Sequence, residues 1–236
     1  MPKSSFRTTV ESIDVLTPIV KVFRLRFDPG AAFDFVAGQY VMIEIPHGDA
    51  VVQKAYSIAS SPSEPWTIDL CIKLVEGGYA STYFHQSVHE GTVLTVYEAQ
   101  GTFVDRGAPR ERAYVATGTG IAPIRSMIRR LYERKGFDDP MWLFFGVRYE
   151  DEILYEEEWR RLAAEHPTFR FMPTVSRPKT WAGDVGWVQD LLRRYLTAPE
   201  RKEAYVCGVV PMVKAVKPLL MELGVPRAQI HTEKYT

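Results

Sequence analysis

Near residue 105 the hydrophobic pattern of this 236-residue chain changes period, and that change limits the folds open to it. Before it, apolar residues recur at every second position in short runs. PIVKVFRLRF (18–27) sets Ile19, Phe23, Leu25 and Phe27 mostly opposite Val20, Val22, Arg24 and Arg26. WTIDLCIKL (66–74) places Trp66, Ile68, Leu70, Ile72 and Leu74 on one face, the signature of a strand. YVMIEIP (40–46) and TVLTVYEA (92–99) read as further strands, bounded by turns at Ala37-Gly38 and Glu90-Gly91. KAYSIAS (54–60) lies among these runs and reads as a buried strand that carries a cation, an aromatic and a hydroxyl. One helix is expected, at about 80–86, after Gly77-Gly78. Many short strands with little helix predict a closed antiparallel barrel over residues 1–105.

After residue 105 strands and helices take turns. DRGAPRER (105–112) is polar and holds Gly and Pro, so a linker is predicted over 106–111. AYVA (113–116) leads to a helix over 121–134, and MWLFFG (141–146) to one at about 155–164. FRFMPTV (169–175) precedes a helix beginning near Trp187, and AYVCG (204–208) one at about 211–223, with a last strand near 230–233. This alternation predicts an open parallel sheet with helices on both faces over residues 112–236. Ligands of such a sheet lie beyond the C-terminal ends of its strands. The places to examine therefore follow Ala116, Phe145, Val175 and Val206.

Composition removes several function classes. Lysine and arginine number 29 and so do aspartate and glutamate, so no net field favours nucleic acid. Cys71 and Cys207 are the only cysteines, too few for an iron–sulfur cluster or a disulfide framework. The five histidines, His47, His85, His89, His166 and His231, show no metal-ligand spacing. The first residues are too polar for a signal peptide and no apolar run reaches membrane-span length, so a cytoplasmic protein is expected.

Five short stretches carry chemistry. TGTGIAP, with Thr117, Gly118, Thr119, Gly120 and Pro123, permits a sharp turn with a close backbone approach ahead of a helix N-terminus, which suits a phosphate. Pro123 takes the place of the third glycine in the dinucleotide fingerprint, and a plain β–α turn carries the same residues. EGGYAST (76–82) is a second glycine pair before a helix, open to a phosphate or to a hairpin reading. GVR ends in Arg148, ahead of an acidic run that suits a helix start. SRPKTW crowds Ser176, Arg177 and Lys179 at a strand end, where two cations match a 2′-phosphate as well as they match solvent. VCGVVPM puts Cys207 beside Gly208 at the mouth of the sheet, without a neighbouring base that would make the thiol a nucleophile.

Together, in order, Lys54-Ala55-Tyr56-Ser57, Gly77-Gly78 with Ser81 and Thr82, the GTGIAP turn, Cys207-Gly208 and the final HTEKYT resemble the ferredoxin–NADP reductase superfamily over nearly the whole chain. The resemblance implies bound FAD, with NADPH or NADH as co-substrate. It implies that Tyr56 packs on the flavin ring and Ser57 hydrogen-bonds near its N5. Lys54, where relatives usually have Arg, would meet the flavin phosphate, and Gly77, Gly78, Ala80, Ser81 and Thr82 the pyrophosphate. Residues 117–123 would hold the nicotinamide dinucleotide's pyrophosphate, and Cys207 and Gly208 would lie by the nicotinamide. Tyr235 would cover the flavin and move aside for the nicotinamide, and Glu233 would assist proton transfer or nicotinamide placement. The implied activity is FAD-dependent NAD(P)H oxidation with electron transfer to a separate acceptor protein such as ferredoxin or flavodoxin. A non-catalytic flavin-binding subunit of a larger complex, or a reductase of free flavin, are the alternatives.

Overall fold

The computed structural model describes residues 4–31, 33–107, 111–134 and 138–235. Residues 108–110 of the expected linker, and Thr236, lie outside the described residues. The chain forms two compact units, one of Met1–Asp105 with Arg125–Arg134, the other of Arg106–Ile124 with Lys135–Thr236.

The first unit is built on six antiparallel strands in the order β4-β3-β6-β1-β2-β5. They are β1 (Ser5–Thr17), β2 (Val20–Phe27), β3 (Tyr40–His47), β4 (Ala50–Ser57), β5 (Thr67–Lys73) and β6 (Val93–Tyr97). The sheet curls back on itself where the chain leaves β4. Ile58 bridges Leu70, and the Ala59 amide donates to the Asp69 carbonyl at 2.8 Å. Phe23, Leu25, Val41, Ile43, Ile45, Ile58, Ile68, Leu70 and Val96 fill the interior, and Phe84 of α1 (Tyr79–Gln86) joins them. The six-stranded, barrel-like antiparallel sheet agrees with the expected class.

Three local readings change. β1 is the longest strand, yet its alternation is broken by register shifts around Glu11 and Leu16, so no period marks it in sequence. β5 is buried on both faces, not one: Asp69 sits inside it because Arg24 Nε donates to its carboxylate at 2.7 Å and Arg125 Nη1 lies 3.5 Å away. Trp66 is an exposed residue ahead of that strand. β4 is not a buried strand. It is an edge strand hydrogen-bonded to β3 alone, and most of its residues from Ala50 to Ala55 are exposed.

The second unit is a six-stranded parallel sheet in the order β10-β9-β8-β7-β11-β12. Its strands are β7 (Glu111–Thr117), β8 (Met141–Val147), β9 (Phe169–Val175), β10 (Asp184–Val185), β11 (Lys202–Val209) and β12 (Ile230–Tyr235). The helices that follow its strands are α2 (Ile121–Tyr132), which from Arg125 onward counts with the first unit, α3 (Glu156–Glu165), α4 (Val188–Tyr195) and α5 (Val210–Glu222). Val115, Phe144 and Val206 on one sheet face pack with Leu191 and Leu192 of α4 and Val213 and Val216 of α5. On the other face Trp159 of α3 meets Phe169, with ring centroids 6.3 Å apart. With strands buried on both sides, the runs read as near-continuous apolar sequence. Pro218 is tolerated inside α5.

Candidate functional site

In the first unit, β4 ends in Tyr56 and Ser57, opposite Val41 and Tyr40 of β3. The Tyr56 ring stands edge-on to Phe84 at 5.1 Å, so the barrel core fixes its plane. Burial, with a smaller contribution from Tyr79, pushes its phenol far above the ordinary range and keeps it neutral. Lys54, two residues earlier, is exposed, with its Nζ 5.4 Å from the centroid of the Tyr79 ring.

The Gly77-Gly78 turn leads into α1. Gly77 adopts φ +72, and nothing lies within 4 Å of where a Cβ would sit. That conformation favours glycine and leaves bare backbone on the surface. Gly78 is the N-cap but supplies no side-chain cap, and the first amide used within the helix is that of Thr82, which donates to the Gly78 carbonyl at 3.0 Å. The amides of Tyr79, Ala80 and Ser81 therefore precede the helical ladder, as at any helix start. The Ser81 hydroxyl is engaged inside the turn. It donates to the Gly78 carbonyl at 2.9 Å and accepts from the Val75 amide at 3.0 Å.

In the second unit, β7 ends at Thr117 and a single 3₁₀ turn, Gly118–Gly120, hands the chain to α2. The two glycines serve different ends. Gly118 has φ +52 and open space around a would-be Cβ. A Cβ on Gly120 would sit 2.4 Å from the Cys207 carbonyl oxygen, and one on Gly208 would sit 2.4 Å from Thr117 Oγ1. The turn and the end of β11 thus touch backbone to backbone. The Thr117 hydroxyl is buried and has no hydrogen-bond partner among the described residues. An unmet donor beside bare backbone suits a site completed by a ligand oxygen.

Cys207 is fully buried and pairs in register with Glu233 of β12. Its Sγ lies 3.9 Å from Glu233 Oε1. Burial first, then the Glu233 charge, raise the thiol pKa well above its ordinary value, against a lowering hydrogen bond to Tyr235. Cys207 is thereby a neutral thiol and not a nucleophile.

The loops after β8 and β9 are knitted together. The Ser176 amide donates to the Val147 carbonyl at 3.0 Å, the Ser176 hydroxyl to the same oxygen at 3.2 Å, and the Arg177 amide to the Arg148 carbonyl at 2.7 Å. Glu150 organises the SRPKTW loop, accepting from the Thr180 amide at 2.6 Å, the Thr180 hydroxyl at 2.8 Å and the Lys179 amide at 3.2 Å. Its own backbone amide first, then the Thr180 hydroxyl and amide and the Lys179 amide, hold its carboxyl at about 2. Lys179 Nζ rests 4.8 Å above the Tyr149 ring. Among the described residues no group of His, Cys, Asp and Glu could hold a metal, and no helix is long and apolar enough to cross a membrane.

Family models for an oxidoreductase FAD-binding domain and an oxidoreductase NAD-binding domain match residues 7–104 and 114–218. The chain is 36% identical to ferredoxin–NADP reductase B of Sorangium cellulosum, over 98% of this chain and 97% of that protein. The chain belongs to the ferredoxin–NADP reductase superfamily. The chain is also 33% identical to the phenol hydroxylase P5 protein of Acinetobacter pittii, over 98% of this chain and 65% of that one. The fold is shared with a ferredoxin NADP⁺ reductase from Neisseria gonorrhoeae solved with FAD and NADP, at TM-score 0.85 and 22% identity, covering 98% of each chain. The protein is thus an FAD-dependent NAD(P)H oxidoreductase, with FAD bound through its first domain family and the nicotinamide dinucleotide through its second.

Against that membership, the structure gathers the expected residues into three groups, one in the first unit and two in the second. Lys54, Ala55, Tyr56 and Ser57 lie along β4, and the Gly77–Thr82 turn brings Tyr79 to Lys54. Residues 117–120 meet Cys207 and Gly208, while Arg148, Ser176, Arg177 and Lys179 share one loop cluster. Two residues escaped the sequence reading. Glu150 was one more carboxylate in an acidic run, and only its reach to Thr180 distinguishes it. Tyr79 was an unremarked residue of EGGYAST, whose pairing with Lys54 needs the fold.

Proposed function

We propose that this chain oxidises NADPH or NADH and passes the electrons to a separate ferredoxin-type acceptor protein in the cytoplasm. The observation that carries the reading is the match along 97% of a ferredoxin–NADP reductase, which leaves too little of that relative for a further domain. Cys71 and Cys207 are both buried and form no disulfide among the described residues, in keeping with a reducing compartment.

Bound FAD supplies an acceptor for hydride that can release electrons one at a time. The chain's residues orient and tune. Tyr56, held in plane by Phe84 and kept neutral, offers a platform for a flat ring, and the Ser57 hydroxyl beside it meets N5. Lys54 supplies a point charge to the flavin phosphate. Gly77 and Ala80 present backbone amides to the pyrophosphate and Thr82 its hydroxyl, while Gly78 and Ser81 shape the turn from within, the Gly78 amide donating to the Val75 carbonyl. Thr117, Gly118, Thr119 and Gly120 hold the dinucleotide's pyrophosphate, with Pro123 setting the first turn of α2. Cys207 and Gly208 form the nicotinamide floor. Glu233, with Tyr235, keeps a carboxylate at the end of β12 for proton handling.

Arg148, Ser176, Arg177 and Lys179 favour NADPH over NADH in this reading. Glu150 spends its charge on the loop's own amides, so the cations are left to face a 2′-phosphate. Anaerobic titration with NADH and with NADPH tests the whole reading. The purified protein should be yellow, release FAD, and bleach with either nucleotide. A protein that binds FAD and is reduced by neither is a flavin-binding subunit and not a reductase. One that holds only riboflavin or FMN, loosely, is a reductase of free flavin. Arg177→Ala with Lys179→Ala should raise KM for NADPH much more than for NADH; equal effects refute the preference.

A further inference from the structure

Lys54 stands on an exposed strand edge, and the structure gives its ammonium a fixed ring to rest against. A lysine is a mobile point charge on a four-carbon stem, whereas a guanidinium is a planar fork that is already organised for an oxyanion. Lys54 projects from the exposed edge strand β4, with its Nζ 5.4 Å from the centroid of the Tyr79 ring. The other neighbour of that ring is His47 at the end of β3, with ring centroids 4.0 Å apart and a tilt of 33°. Tyr79 also packs against the barrel core, so it is a fixed surface and not a swinging side chain. It is the first residue of α1, directly after the Gly77-Gly78 turn. The Tyr79 hydroxyl is buried and has no partner among the described residues, so the residue's contribution here lies in its ring.

We propose that Tyr79 is a positioning residue for the flavin phosphate, its ring fixed by His47 and holding the Lys54 ammonium at the Gly77-Gly78 turn. The inference rests on the reading of Lys54 as the phosphate's cation. It adds the residue that supplies the pre-organisation a point charge on a flexible stem lacks. An exposed cation–ring contact is worth about 0.5–1 kcal/mol, which converts to a two- to five-fold change in affinity. A charge-assisted contact to phosphate is worth more, so loss of Lys54 itself should cost about ten-fold or more.

The test measures dissociation constants of FAD, FMN and riboflavin for the full-length apoprotein, by flavin fluorescence. The variants are Tyr79→Phe, Tyr79→Leu, Lys54→Ala and Lys54→Ala/Tyr79→Leu, with a melting curve for each. Wild-type protein that binds no FAD refutes the function proposed above and does not bear on Tyr79 separately. With FAD bound, Tyr79→Phe should stay within two-fold of wild type, because the ring is kept and the hydroxyl has no partner. Tyr79→Leu should weaken FAD and FMN about three-fold, leave riboflavin unchanged, and add nothing once Lys54 is Ala. A Leu effect that persists in the Lys54→Ala background, or that extends to riboflavin, overturns the proposal and assigns Tyr79 to packing. A loss confined to FAD overturns it in favour of adenine contact, and a loss in Tyr79→Phe overturns it in favour of a hydroxyl bond.

Discussion

Gly118 and Gly120 stand two residues apart in one turn, and the structure predicts that replacing each by alanine does different damage. At Gly120 the new methyl would sit 2.4 Å from the Cys207 carbonyl oxygen and 2.7 Å from Gly208 Cα, about 1 Å inside ordinary contact, and both obstacles are backbone. Neither can rotate away, so the turn or β11 must move, and overpacking of this kind costs about 1–3 kcal/mol. At Gly118 the methyl meets nothing within 4 Å, and the penalty is that of an L-residue at φ +52, about 1 kcal/mol. The same methyl, however, fills the bare surface that the dinucleotide phosphates approach. Gly120→Ala should therefore be the larger loss of stability, and Gly118→Ala the cleaner loss of NAD(P)H affinity at near-normal stability. Four of the five tryptophans (Trp142, Trp159, Trp181 and Trp187) lie in the second unit, so urea unfolding followed by tryptophan fluorescence reports mainly on it. Retained FAD content in both variants confirms that the first unit is untouched. A Gly120→Ala protein as stable as Gly118→Ala refutes the backbone-contact argument, and unchanged KM in Gly118→Ala refutes the phosphate role of the turn.

Asp69→Ala leaves Arg24 and the buried Arg125 without a shared carboxylate, so a loss of about 3 kcal/mol is expected in chemical denaturation of the first unit. Glu150 has a carboxyl held at about 2 against an ordinary 4.5. Its contribution to loop order is thus present above pH 4.5 and lost as pH falls through 2; Glu150→Ala should abolish that acid-side step and raise KM for NADPH at neutral pH. Cys207, neutral and buried, should resist iodoacetamide at pH 8 in the folded protein and react on unfolding, as read by mass spectrometry.

In the second unit MWLFFG is legible because β8 is covered on both faces and stands out as an apolar block, whereas FRFMPTV, with Arg170 exposed and its middle half-buried, is less clear-cut. The barrel was harder. Periodicity identifies a strand only where one face is wet and the register is unbroken, and β1, with its shifted register, satisfies neither condition cleanly. Asp69 was invisible as a core residue because its burial depends on Arg24 and on Arg125, 45 and 56 positions away in sequence. The glycines were legible as a motif, but not their division of labour, since Gly120 is explained by Cys207 across the sheet. Lys54 was noticed for its charge; its dependence on a ring that starts the next helix required three dimensions.

The edge position of β4 has one more consequence. Among the described residues no strand pairs with its outer side from Ala50 to Ala55, and Val51 is well exposed; such an edge is a template for a strand from another molecule. Lys54 is the only charged side chain on that strand. The same ammonium thus serves as a guard against edge-to-edge association, and engineering it to a neutral residue trades solubility along with ligand affinity.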